Sequence, residues 1–146
     1  MLDQVMSLFG LTADYDLDLM QPGQNLTDLT ARVLQGVRDV IADCQPDLVL
    51  VHGDTSTTLA AGLAAFYQRT PVGHVEAGLR TGNLQAPWPE ELNRSVVGLF
   101  AELNFAPTSQ SANNLLRAGR DSSQIFITGN TVLDALLEVS EKIDTD

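Results

Sequence analysis

Apolar and polar positions follow two different periods along this chain. Leu2, Val5, Met6 and Phe9 recur at helical spacing and predict the tail of a helix over 1–9, with Gly10 as its stop. Tyr15-Asp16-Leu17-Asp18-Leu19 alternates polar and apolar residues and predicts a short strand near a sheet edge. After the Pro22-Gly23 turn, Leu26, Leu29, Val33, Val37, Val40 and Ile41 make one stripe of a helix over 26–44. From Pro46 onward, short apolar runs at 48–52, 71–75, 103–106 and 125–128 alternate with helical segments at 55–68, 89–102, 109–118 and 131–142. That alternation predicts an α/β fold with a parallel sheet. Residues 48–52 are apolar on both faces, as in a parallel strand covered by helices on both sides. The following helix is rich in Ala and Gly (Ala60, Ala61, Gly62, Ala64, Ala65), which lets it lie close to the sheet. Thr108 or Ser109 caps the helix over 109–118.

Strand, helix and strand over 48–75 form a βαβ unit, and its right-handed crossover brings Asp54 and Glu76 to the same edge of the sheet. Open α/β sheets bind ligands outside the C-terminal ends of their strands. A third acidic position, Glu90, follows Pro87-Trp88-Pro89 at the start of the next helix. Each has a purely structural alternative. Asp54 is placed to cap a helix, Glu76 to pair with Arg80, and Glu90 to suit the positive end of its helix, with Pro89 at the first helical position. Three carboxylates near one edge repel one another, an arrangement more typical of acid–base chemistry than of structure. Thr55 to Thr58 offer hydroxyls and amides that could hold a phosphate or a sugar hydroxyl. Arg80 and Arg94 are the basic residues near the cluster, suited to balance carboxylates or to meet a substrate phosphate. His52 and His74 stand at strand ends, where a histidine usually bonds to backbone. No third ligand with suitable spacing makes them a metal site. Trp88 reads as a loop anchor rather than a stacking platform.

Composition narrows the partners. With 146 residues and 44% apolar content the chain can bury a core. The net charge is −11 and Lys142 is the only lysine, which argues against nucleic-acid or anionic membrane surfaces. There is no apolar run long enough for a membrane span and no signal-peptide pattern at Met1. The single Cys44 cannot form an intramolecular disulfide, which suits a reducing, cytoplasmic setting.

Four segments resemble one family. Val49-Leu50-Val51-His52-Gly53-Asp54-Thr55, Pro71 to Gly82 with its His-Val-Glu-Ala-Gly-Leu-Arg core, Pro87-Trp88-Pro89-Glu90-Glu91-Leu92-Asn93-Arg94, and Ile125 to Ala135 are similar to the non-hydrolysing UDP-N-acetylglucosamine 2-epimerases. The resemblance implies a Rossmann-like sheet within a two-domain GT-B fold. It implies interconversion of UDP-GlcNAc and UDP-ManNAc through elimination of UDP and its re-addition with C2 inverted. Asp54, Glu76 and Glu90 fall on the family's acidic active-site positions, with Arg80, Arg94 and Thr55 toward the substrate. Neither a cofactor nor a metal is implied. The complete enzymes are expected to be homodimers.

The resemblance also implies that 1–146 is the middle and end of an N-terminal domain. The family's first two strands, its Gly-Thr-Arg-Pro-Glu turn and its C-terminal domain, with a catalytic histidine, have no counterpart here. A truncated gene, a mis-called start or a split gene would each give that pattern. The expectation is that the chain alone is inactive, with a binding or assembly module that completes a split enzyme as the alternative. Another sugar-nucleotide enzyme of the same fold is a further alternative.

Overall fold

The computed structural model describes residues 2–144. The elements are helices α1 (Leu2–Leu8) and α2 (Leu26–Cys44), strand β1 (Val49–His52), helix α3 (Ser56–Tyr67), strand β2 (Val72–Val75), helix α4 (Glu90–Phe100), strand β3 (Leu103–Ala106), helix α5 (Ser109–Arg117), a 3-10 turn (Ser122–Gln124), strand β4 (Ile125–Ile127) and helix α6 (Thr131–Asp144). The four strands pair in parallel in the order β1-β2-β3-β4. A parallel α/β sheet is therefore present, and its strands lie within a residue of the expected runs.

Sequential order has a packing consequence. Each crossover steps in the same direction, so right-handed connections put α3, α4 and α5 on one face of the sheet. That face carries Val51, Val72, His74, Asn104 and Ala106, all buried. Ile41 of α2, Ala64 and Ala65 of α3, Val97 of α4 and Ala101 just after its end close over Val51 and Val72. Gly62 lets α3 and α4 approach, since a Cβ there would lie 3.1 Å from the Phe100 ring. A second cluster joins Ala77, Ala106, Ala112 and Leu115 beneath α5.

The expectation of helices on both faces of β1 is not met. Leu50 points to the other face and is 60% exposed, and Phe126 on the same face is 44% exposed. β1 is also a sheet edge. The expected strand over 15–19 is likewise absent. Asp18 takes a left-handed φ of 42°, which breaks a pleat. Leu17 instead rests on Gly36 of α2, and the Tyr15 hydroxyl donates to Asp43. That bond, with the negative charge around it, pushes the Tyr15 phenol up to about 12. Among the described residues no helix is long and apolar enough to cross a membrane.

Candidate active site

The C-terminal edge of the sheet gathers three turns. β1 ends in Gly53-Asp54, β2 in Glu76-Ala77-Gly78, and β4 in Thr128-Gly129-Asn130. The first two are tied directly. The Gly53 amide donates to the Val75 carbonyl at 3.0 Å, and the Gly53 carbonyl lies 2.7 Å from His74 Nε2. A carbonyl only accepts, so Nε2 carries the proton. Burial pushes the His74 imidazole below its ordinary pKa and outweighs that bond, which favours the neutral ring. Its Nδ1 is buried without a partner among the described residues. His74 thus takes the backbone role expected of it, while His52 is exposed.

Asp54 does not cap α3. The cap is Thr55, whose Oγ1 accepts the Thr58 amide at 3.2 Å. Thr58 in turn donates to the His52 carbonyl. The Thr55 hydroxyl expected to meet substrate is thus engaged in holding the helix start. Asp54 is fixed instead by two neighbours on α4. Asn93 Nδ2 donates to its carbonyl at 2.8 Å, and Arg94 Nη1 meets its Oδ2 at 3.1 Å.

Arg94 takes the first of the two roles open to it, balancing carboxylates. Its side chain is only 8% exposed and is shared between Asp54 and Glu91, whose Oε2 lies 2.7 Å from both Nε and Nη2. A guanidinium enclosed by two carboxylates is a strut, not a surface for phosphate. Glu91 was not singled out from the sequence, yet it is the most buried acid of the cluster at 2% exposure. It also accepts the amides of Thr81 at 3.1 Å and Gly82 at 3.0 Å. Burial pushes its carboxyl up, but the two amides and Arg94 outweigh this and hold it below the ordinary carboxylate range. The usable signal was helical phase. Glu91 and Arg94 stand three residues apart, in register with Val97 on the buried stripe of α4.

Glu90 opens α4 and is half-buried, with Pro89 as the cap residue rather than the first helical position. Its carboxylate has no hydrogen bond or ion pair among the described residues. Glu76 does not pair with Arg80. It has a left-handed φ of 64°, and its Oε1 accepts from Asn130 Nδ2 at 3.0 Å. A Cβ on Gly53 would lie 3.5 Å from Glu76 Oε2, so Asp54 and Glu76 occupy adjacent turns of one edge. Arg80 donates to the Leu79 carbonyl, and burial pushes its guanidinium pKa down. Trp88 is no loop anchor: it is 62% exposed. Among the described residues no group of three or more His, Cys, Asp or Glu side chains could hold a metal ion.

The fold and this edge define a Rossmann-like α/β sheet of the kind found in GT-B enzymes. Comparison with known proteins makes the class specific. The family model for UDP-N-acetylglucosamine 2-epimerase matches residues 1–146. The UDP-N-acetylglucosamine 2-epimerase of Salmonella typhimurium is 59% identical over 99% of this chain and 39% of its own length. That of Escherichia coli is 61% identical over 98% of this chain and 38% of its own. The crystal structure of UDP-GlcNAc 2-epimerase from Neisseria meningitidis bound to UDP-GlcNAc superposes with a TM-score of 0.95 at 55% identity, covering 98% of this chain and 38% of that one. The chain belongs to the UDP-N-acetylglucosamine 2-epimerase family, and it spans about two-fifths of the length of the curated relatives it matches.

Proposed function

We propose that this chain is part of the N-terminal Rossmann-like domain of a non-hydrolysing UDP-GlcNAc 2-epimerase, an isomerase of the cytoplasm. In the completed enzyme, Asp54, Glu76 and Glu90 supply the acid–base groups. The C2 proton moves to a carboxylate, the C1–O bond breaks, and UDP leaves with the bonding pair to give 2-acetamidoglucal. Re-addition of UDP at C1 with proton return to the opposite face of C2 gives UDP-ManNAc. The observation that carries this reading is Glu76, held on a left-handed backbone beside the Asp54 turn at the ligand-binding edge of the sheet. The relative from Neisseria meningitidis, 55% identical to this chain, holds UDP-GlcNAc. The step needs no metal or redox cofactor. Arg80 is the basic side chain left to face the diphosphate, since Arg94 is enclosed. The complete enzyme works as a homodimer.

On this reading the chain alone is inactive. Orientation in a closed cleft contributes on the order of 7–11 kcal/mol toward such a barrier. The chain matches 38% of its relatives' length, and much of that cleft belongs to the rest. The test is incubation of the purified chain with UDP-GlcNAc in deuterated water, followed by NMR. The expected result is neither UDP-ManNAc nor deuterium at C2. Turnover that disappears in Glu76→Gln would overturn it.

A second reading, an assembly module that pairs with a complementary chain, is favoured by the open β1 edge and the exposed Leu50. Recovery of epimerase activity on mixing with a separately expressed remainder of a relative would support it. No recovery at micromolar concentrations would reject it.

A further inference from the structure

Asn130, in the turn after β4, is used by none of the roles above. Its Nδ2 donates to Glu76 Oε1 at 3.0 Å, and its Oδ1 accepts the Val132 amide at 3.0 Å. These contacts fix the orientation of the side-chain amide. A backbone N–H requires an acceptor, so Oδ1 faces Val132 and the NH2 group faces the carboxylate. The contact reaches across the sheet, because Glu76 follows β2, Asn130 follows β4, and β3 lies between. On its other side the Glu76 carboxylate approaches Gly53, where even a Cβ would come within 3.5 Å of Oε2. The backbone beneath has a φ of 64°, a conformation that a non-glycine residue keeps only when its surroundings enforce it.

We propose that Asn130 is a positioning residue for the epimerisation site. It holds one oxygen of Glu76 and so directs the other toward the C2 proton of the sugar. This rests on the reading of Glu76 as an acid–base group. A charge-assisted bond to a carboxylate is directional, and a displacement of about 1 Å in such a group costs on the order of 100-fold in rate.

Asn130→Asp separates this role from a structural one. Aspartate serves the Val132 amide as well as asparagine does, so the start of α6 is kept. Its second oxygen, however, replaces the NH2 donor and faces the Glu76 carboxylate, two like charges at contact. Two arms test the proposal. In the chain itself, labelled with 15N, the Asn130 side-chain NH2 resonances titrate with pH, and they stop doing so in Glu76→Gln. In the full-length Neisseria meningitidis relative, the residue matching Asn130 is changed. Changing it to Asp lowers kcat about 100-fold with KM within about 3-fold, displaces the acid limb of the pH–rate profile, and leaves the melting temperature near wild type. Changing it to Ala lowers kcat about 10-fold, because the donor is lost without a new charge.

An Asp variant with wild-type kcat and pH profile overturns the proposal, as does an Asn130 resonance in the chain that ignores pH. Outcomes for the two readings differ. If Glu76→Gln abolishes turnover while Asn130→Asp does not, positioning fails and the acid–base role stands. If Glu76→Gln turns over normally, the acid–base role itself fails.

Discussion

Replacing Glu91 with alanine should remove a large share of the chain's stability. The carboxylate is 2% exposed and receives four hydrogen-bond donors: Arg94 Nε and Nη2 at 2.7 Å, the Thr81 amide at 3.1 Å and the Gly82 amide at 3.0 Å. Alanine leaves the Arg94 guanidinium, 8% exposed, with Asp54 as its one remaining anion. Breaking one partner of a buried pair costs about 3–5 kcal/mol. The Thr81 and Gly82 amides belong to an exposed loop, so water replaces much of what they lose and adds little to that figure. A domain of this kind has about 5–15 kcal/mol in total. The assay is urea unfolding of the chain followed by far-UV circular dichroism. Leu99→Ala, on the same helix at 67% exposure, serves as the control and should change stability by less than about 1 kcal/mol. The pH dependence provides a second check. Because the folded carboxyl is held below its unfolded value, its stabilisation is present above the ordinary carboxylate range and is lost as pH falls through the folded value. Glu91→Ala should lack that contribution to acid unfolding. A loss below about 1 kcal/mol, with an unchanged acid limb, would refute the strut assigned to Glu91 and Arg94.

Gly78→Ala should cost on the order of 3 kcal/mol or more, measured by the same unfolding curves, because φ is +87° and the new Cβ would lie 2.3 Å from the Ser111 carbonyl oxygen. Burial holds the folded His74 imidazole below its ordinary pKa, so as pH falls through about 6.5 the unfolded state takes up a proton more readily than the fold does. The contribution of His74 to stability should therefore be lost as pH falls below that value, and in urea unfolding curves at about pH 7.5 and 5.5 His74→Gln should show a smaller decline than wild type. The isolated chain should self-associate in analytical ultracentrifugation through β1. Leu50→Lys, placing a charge on the exposed edge strand, should shift it toward monomer.

How far the sequence reaches can be judged element by element. The stripe over 26–44 predicts α2 with the bounds later found, because Val33 and Ile41 form the side that packs and the polar side is solvated. The strands were legible because short apolar runs separated by helical segments have few alternative arrangements. Residues 15–19 failed for a tertiary reason. Their alternation comes from lying along α2, with Leu17 over Gly36, rather than from a pleated strand. The second face of β1 failed because apolarity shows which residues tolerate burial and not whether an element is present to bury them. At the site, the strand-end carboxylates Asp54 and Glu76 could be found from the βαβ spacing alone. Of their partners, Arg94 on α4 is among the basic residues the sequence offers to balance carboxylates, whereas Asn130 is not legible, since it comes from a distant turn that only the fold brings close. Choosing between the adjacent Glu90 and Glu91 as the buried acid requires the phase of α4, in which Glu91 shares a face with Arg94 and Val97.

The central claim, that the acids at this sheet edge carry the C2 proton, is tested most directly by proton exchange rather than by product formation. The complete Neisseria meningitidis relative is incubated with UDP-GlcNAc in deuterated water, with the residues matching Asp54, Glu76 and Glu90 changed singly to the amide, and deuterium at C2 is followed by NMR. The account predicts that exchange falls about 100- to 10,000-fold in these variants. UDP binding, measured by calorimetry, should stay within a few-fold of wild type. Wild-type exchange in all three amide variants would contradict it.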